Sequence, residues 1–299
     1  MADPQWDDLK VFLAVAREES LSGAGRILKM DPATVGRRVA RLEADIGLPL
    51  FVKSPQGYAL ASGGERLLAH AEAAEQAMRA GIDAITGSDG RLSGQIRIGA
   101  PDGCANYLLP QVCTDIARDN PDLDIQIVAL PRVVNLSRRE ADMAVTVSPP
   151  TAGQLLVQKI TDYHLHLVGA ERYLAQAPAI RGIDDLQGHQ MIGYIPDMIF
   201  DAELDYLREL RLQRLHLASN SVPVQLQMVA RGAGLCVAHD FALPSHPGLV
   251  RLLQDQIHLR RAFYLVRHQG DQRSERLNRF AQALSDGLRG EVARLEQHA

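Results

Sequence analysis

The sequence predicts a chain of mixed class: an α+β unit at the N-terminus, one long helix, and a larger α/β unit behind it. Three observations lead there. Residues 7–60 carry three helical stripes and a hairpin pattern in close succession. Residues 62–85 keep one unbroken helical stripe, and from residue 95 strand and helix patterns alternate almost to the end. Apolar positions recurring every three to four residues mark helices that face a core. Short β-branched runs bounded by turn residues mark strands.

Leu9, Phe12, Leu13 and Ala16 recur at helical spacing, so Asp7 to Glu19 is expected to be an amphipathic helix. Ser22 is a candidate N-cap for a short second helix through Ala24, Ile27 and Leu28, and Lys29-Met30 forms a tight connection. Asp31-Pro32 opens a third helix with a capping carboxylate followed by a proline at the first helical position. Its stripe Val35, Val39, Leu42 and Ile46 must be buried against the first two helices. After Gly47, apolar Leu50-Phe51, the turn residues Ser54-Pro55-Gln56-Gly57, then Tyr58 and Leu60 read as a hairpin wing. The unit is thus a winged helix-turn-helix.

The other face of the third helix carries the chemistry. Thr34, Arg37, Arg38 and Arg41 share one stripe with no carboxylate among them. Arginine forks match guanine edges and phosphate oxygens, and a helix fits the DNA major groove. Residues 26–53 hold six basic side chains (Arg26, Lys29, Arg37, Arg38, Arg41, Lys53) against three acids, in a chain of formal net charge −4. Cap, stripe, basic face and wing together point to double-stranded DNA as a partner. Ser22, Pro32, Ala33, Thr34, Arg37, Arg38, Arg41 and Lys53 are the candidate contacts.

With 299 residues, 46% of them hydrophobic, the chain can bury more than one core. No run of 18 uncharged apolar residues occurs and the first residues are acidic, so neither a signal peptide nor a membrane span is expected. Cys104, Cys113 and Cys236 form no metal spacing and no even disulfide set, which fits a reducing cytoplasm. Neither a Gly-x-Ser-x-Gly elbow, nor a phosphate-binding glycine loop, nor a metal-spaced His/Glu pair is found. An enzyme, a metal and a resident cofactor are therefore not expected.

Ser62 to about Ile85 forms the long helix, with Leu67, Leu68, Ala71, Ala74, Ala77, Met78 and Ile82 at near-heptad spacing. That stripe packs either on the chain's own C-terminal unit or on the equivalent helix of a second subunit. Thr86 to Gly90 is a polar, glycine-rich hinge. Beyond it lie strands at 95–100, 124–129 and 142–147, helices at 107–119 and 135–140, and a strand from His164 to Val168. The pattern continues with strands at 191–195, 215–218, 234–238 and 262–267, and helices at 201–210, 223–231 and 274–288. Such alternation argues a parallel α/β sheet. Ligands of such sheets bind beyond the strands' carboxyl ends, which singles out the loops Pro101–Ala105, Leu130–Val133, Ser148–Pro150 and Ser219–Val222.

The N-terminal segment resembles the winged helix-turn-helix of LysR-type transcriptional regulators. The matching residues are Phe12, Ala16, Ala24, Leu28, Pro32-Ala33-Thr34-Val35, Arg41-Leu42-Glu43, Ile46-Gly47, Leu50-Phe51, Gly57 and Leu60, and the likeness runs to about residue 285. Gly25, Gly36 and Ala61 depart from the usual alanine, serine and threonine. The resemblance implies a DNA-binding domain at 1–61, a linker helix and hinge at 62–90, and a two-lobed effector domain at 91–299. For that domain it implies a fold like that of periplasmic binding proteins, with lobe I at 91–161 and 267–299 and lobe II at 162–266. It further implies a homodimer or dimer of dimers paired through Leu67, Leu68, Ala71, Ala74 and Met78, and a pseudo-palindromic promoter site.

A small-molecule effector between the lobes is implied too, near Gly103, Cys104, Pro131, Ser148, Asn220 and Ser221, with RNA polymerase as a further partner. An effector-independent regulator with a structural cleft is the alternative. Asp102 either caps its own helix or faces the cleft, where it favours a cationic or neutral ligand. Cys104 at a helix N-terminus invites a redox reading, which Asp102 beside it opposes. His164 and His166 share one strand face that lacks the further donors of a zinc site.

Overall fold

The computed structural model describes residues 5–54, 57–86, 91–129, 141–150, 155–206 and 215–299. The chain divides into two compact units, Met1–Thr86 with Gly270–Glu275 and Gly87–Gln269 with Arg276–Ala299. Among the described residues no helix is long and apolar enough to cross a membrane.

In the first unit α1 (Trp6–Glu18), α2 (Leu21–Leu28) and α3 (Pro32–Ile46) precede the hairpin β1 (Phe51–Ser54) and β2 (Gly57–Leu60) and the helix α4 (Ser62–Thr86). Glu19 ends α1 in the left-handed region at φ 50°, which turns the chain sharply. The cap of α2 is Ser20, whose Oγ accepts from the Gly23 amide at 3.3 Å, and not Ser22. Because Glu19 already breaks α1, the next residue with a hydroxyl is the one placed to cap. Asp31 caps α3 by accepting from the Ala33 amide at 2.9 Å, with Pro32 in the first turn.

Val35 and Val39 pack with Val11, Ala14, Val15 and Ala24, and Leu42 packs with Phe12, Leu13, Leu50 and Ala71. The wing is tied to the helices where Tyr58 donates its amide to the Glu19 carbonyl at 2.8 Å. Trp6 opens α1 almost fully exposed. Gly25 lies where the α2–α3 connection passes closest, since a Cβ there would stand 2.6 Å from the Met30 carbonyl oxygen.

The second unit holds β3 (Gly94–Ala100), α5 (Asp102–Tyr107), α6 (Leu109–Asp119), β4 (Leu123–Ala129), β5 (Met143–Thr146), β6 (Leu155–Ala170) and α7 (Glu171–Leu174). Then come β7 (Ile192–Gly193), β8 (Leu217–Ala218), α8 (Val222–Ala230), β9 (Leu235–His239), β10 (Leu249–Leu252), β11 (His258–His268) and α9 (Glu275–Glu296). The large sheet runs β10-β6-β11-β5-β3-β4, with β9 also on β6. It is mixed rather than parallel: β3 pairs parallel with β4 and β5, while β6 and β11 pair antiparallel with each other and with their remaining neighbours.

Several elements differ from their sequence expectation for visible reasons. The helix expected over 107–119 is two, broken at Leu108 (φ −118°). Pro110 cannot continue α5, because its ring would strike the carbonyl four residues back. The loop expected at Pro101–Ala105 is accordingly the start of α5. The short strand at 164–168 is the second half of the 16-residue β6. Where a helix was expected at 201–210 a single 3-10 turn, Ala202–Leu204, is found, and residues 207–210 lie outside the described residues, as does the helix expected at 135–140. The final helix runs on to Glu296 because Leu288, Val292 and Leu295 extend its buried stripe.

Helix propensity alone favours alanine over glycine inside α2 by about 1 kcal/mol. The Met30 carbonyl reverses the sign. Gly25→Ala is expected to destabilise the first unit by about 1–3 kcal/mol, read as a lower urea midpoint; a raised midpoint contradicts the close approach.

Candidate nucleic-acid interface and ligand cleft

The third helix presents its polar face as expected, with one change of role. Arg37 is exposed and donates from Nη2 to Thr34 Oγ1 at 2.9 Å, which holds the guanidinium along the helix. Pro32, Ala33, Ser22 on α2 and Lys53 on β1 are exposed as well. Arg41 instead forks onto Asp8 of α1, Nε to Oδ2 at 2.6 Å and Nη2 to Oδ1 at 2.6 Å. Arg38 comes within 3.8 Å of the same carboxylate. The Asp8 side chain is wholly buried, and its bond raises the Arg41 pKa above the ordinary value. Asp8 was not singled out in the sequence, since a carboxylate 33 residues upstream gives no local sign of its partner. It holds the guanidinium of Arg41 and lies close to that of Arg38, while Arg37 is bonded to Thr34 instead.

Of the expected pairing residues on α4, Leu67, Leu68 and Ala71 pack on the unit's own core beside Phe12, Leu42 and Leu50. The first turns of α4 lie against α1, where Arg17 and Glu75 form an ion pair at 2.7 Å. Of the three, Ala71 is buried in that core, while Leu67 and Leu68 are half-buried beside it. Ala74 is half-buried, and Met78 and Ile82 are exposed at 71% and 51%.

In the second unit, Asp102, Gly103, Ser148, Ser221 and Val222 stand at the carboxyl ends of strands. Asp102 does not cap its own helix through its side chain. Its Oδ1 accepts from Asn106 Nδ2 at 3.0 Å, and its Oδ2 accepts from the Val222 amide, the first of α8, at 2.6 Å. The preceding amide, of Ser221, donates to Ser219 Oγ at 3.1 Å, and Gln225 Nε2 donates to the Ser219 carbonyl at 2.7 Å. Ser148 donates its hydroxyl to Asp201, which also caps the turn at Glu203. Asn220 is half-buried, Gly103 and Cys104 are buried, and Pro131 lies outside the described residues.

Behind these loops sits an aromatic group that the sequence did not single out. Tyr163 stacks on Phe263 at 4.2 Å and on His239 at 5.6 Å, and Tyr206 meets Tyr194 at 5.9 Å. The Tyr206 hydroxyl lies 3.4 Å from His239 Nε2. A Cβ on Gly103 would stand 3.4 Å from His239 Cε1 and 3.5 Å from Val222 Cγ2, so α5, α8 and β9 meet there. His239 Nδ1 and Tyr163 Oη are buried with no partner among the described residues. Burial drives the His239 pKa down to about 4 and pushes the tyrosine hydroxyls up, Tyr107 to about 12.

Burial also pushes the Cys104 thiol up and those of Cys113 and Cys236 to about 12, the opposite of what a reactive thiol needs. His164 and His166 pair with Glu296 at 2.8 Å and Asp240 at 2.9 Å, and no metal-holding group occurs among the described residues.

Unfolding restores His239 to its ordinary 6.5, so between pH 6.5 and 4 the unfolded chain binds the proton and the folded chain does not. Stability is unaffected above that window and falls as the pH drops through it, by about 3 kcal/mol at most. His239→Gln is expected to flatten this slope in urea denaturation across the window; an unchanged slope places the dependence elsewhere.

Comparison with known proteins bears on both units. Residues 6–65 match the model described as "Bacterial regulatory helix-turn-helix protein, lysR family", and residues 89–289 that described as "LysR substrate binding domain". The transcriptional regulator PtxR of Pseudomonas aeruginosa is 25% identical over 97% of this chain and 95% of its own. A full-length point variant of OxyR from the same organism shares the fold at a TM-score of 0.72, with 19% identity over 97% of this chain and 96% of that one. Full-length LysG from Corynebacterium glutamicum, solved with bound effector Arg, superimposes at 0.65, with 19% identity over 95% and 98%.

Proposed function

The chain belongs to the LysR family of DNA-binding transcriptional regulators, and on that footing we propose that α3 reads its promoter while a small molecule in the second unit sets the response. The observation that carries the reading is the exposed basic face of α3 beside a wing. Arg37 and Arg38 enter the major groove with Pro32, Ala33 and Thr34 at the helix start, Ser22 and Lys53 reach phosphates, and Arg41 supports the face from its seat on Asp8. Relatives with this architecture are transcription regulators. The functional division follows the sequence: DNA recognition by 1–61, pairing and transmission by 62–90, and effector binding by 91–299 between lobes 91–161 with 267–299 and 162–266.

LysG holds arginine as its effector, and this chain uses the loops bearing Gly103, Ser148, Asn220 and Ser221 for a ligand of its own. Ligand binding changes DNA affinity, bend or contact with RNA polymerase.

Phosphate neutralisation releases counterions, so affinity falls steeply with salt. Arg37→Ala with Arg38→Ala is expected to weaken binding to the chain's own promoter region in gel shifts, and to reduce the log–log salt slope by roughly 0.9 for each phosphate no longer neutralised. Unchanged affinity in the double variant removes this face from the interface.

Pairing through α4 rests on half-buried Ala74 and exposed Met78, which suit further burial against the equivalent helix of another subunit. Replacing both with glutamate places unpaired charge in that seam, at a cost of several kcal/mol. Light scattering at micromolar concentration is expected to give at least a dimer for the wild type and a smaller mass for the variant. A wild-type monomer refutes the pairing.

A further inference from the structure

The donors that ordinarily make a strand-end cleft attractive to anions are occupied here by the chain's own oxygens. The N-terminus of the nine-residue α8 presents the Val222 amide, Pro223 having none, at the positive end of a helix dipole, a natural seat for a carboxylate. Asp102 takes that seat, at 2.6 Å from the Val222 amide, and Ser219 Oγ takes the Ser221 amide. The Ser148 hydroxyl is likewise turned onto a carboxylate, that of Asp201. An anionic ligand would have to displace these groups and then sit beside two negative charges.

What the same place offers unfilled is of the other kind. His239 Nδ1 and Tyr163 Oη are buried and unpartnered among the described residues, and the His239 ring edge lies against Gly103, the residue after Asp102. At neutral pH the imidazole is uncharged, so one of its ring nitrogens is an acceptor. Tyr206 meets that ring edge-on and the half-buried Tyr194 meets Tyr206, and ring faces attract cations. A partly open tyrosine ring and the Asp102 carboxylate thus lie in the same region.

We propose that Asp102 is a built-in carboxylate ligand of α8, so that the cleft of this chain rejects carboxylate effectors and takes an organic cation, held by Asp102 beside the half-buried Tyr194 ring. This rests on the cleft being the effector site.

The test uses two probes matched in shape and opposite in charge, 3-phenylpropylamine and 3-phenylpropionate, in thermal melts of the full chain. A ligand that binds only the folded state raises the midpoint. The amine is expected to stabilise the wild type and the acid to leave it unmoved. Asp102→Ala vacates the Val222 amide and is expected to reverse the preference. Asp102→Asn keeps an acceptor without the charge, so it guards against a folding defect in the first variant. It is expected to weaken the amine by roughly ten-fold or more, which corresponds to 1.4 kcal/mol. Stabilisation of the wild type by the acid, no response of the wild type to the amine, or unchanged preference in both variants overturns the proposal. Gel shifts of the wild type on its own promoter run in parallel. Failure to bind DNA sinks the functional reading, whereas intact DNA binding with the opposite charge preference sinks this inference alone.

Discussion

The antiparallel pairing of β6 with β11 is the constraint on which the second unit depends. Eleven residues of β11 pair along β6, from His258 against His166 to His268 against Leu155. The rest of the large sheet attaches to this ribbon: β5 joins the edge of β11 and carries β3 and β4, while β9 and β10 share the far half of β6. The bulge between Phe263 and Tyr264 falls near the middle. A bulge bends a strand and increases its local twist, and here it lies beside the stack of Tyr163 on Phe263. The two halves of the sheet are therefore coupled through a pair of strands and not through a loose linker. The loops bearing Asp102 and Val222 are brought together from opposite sides of that ribbon.

The first unit solves a different problem, which is to present positive charge rigidly. Long basic side chains lose rotamer freedom when they bind, and that loss opposes affinity. Two of the three arginines on α3 are held before any DNA arrives, because the buried Asp8 accepts both prongs of Arg41 and lies within 3.8 Å of Arg38. Thr34 restrains the third. A carboxylate beneath a basic face lowers its net charge, and what it returns is geometry.

Features set by local chemistry were legible in the sequence. Asp31-Pro32, the stripe from Val35 to Leu42 and the hairpin after Leu48 stand close to where spacing put them. Elements whose surroundings change along their length were not. The first half of β6 is largely solvated and the second half buried apart from His164, so LLVQKITDYHLHLVGA shows neither alternation nor one continuous apolar run. Leu108 was missed because the stripe through Leu109, Val112 and Ile116 hides the break that Pro110 imposes. The long-range partners were beyond reach: Asp102 finds its amide 120 residues away, and Arg41 its carboxylate 33 residues back. In the candidate cleft the loops could be named from strand ends, whereas the aromatic group behind them is assembled from five separate strands and turns.

The burial of Cys104, Cys113 and Cys236 has a practical consequence. All three thiols of the chain lie in the second unit, and its one tryptophan, Trp6, lies exposed at the start of the first. A maleimide that reacts slowly with the native chain thus times the opening of the second unit alone, since a buried thiol is labelled only when its surroundings part. Thiol labelling thus reads one unit of the chain and leaves the other unlabelled.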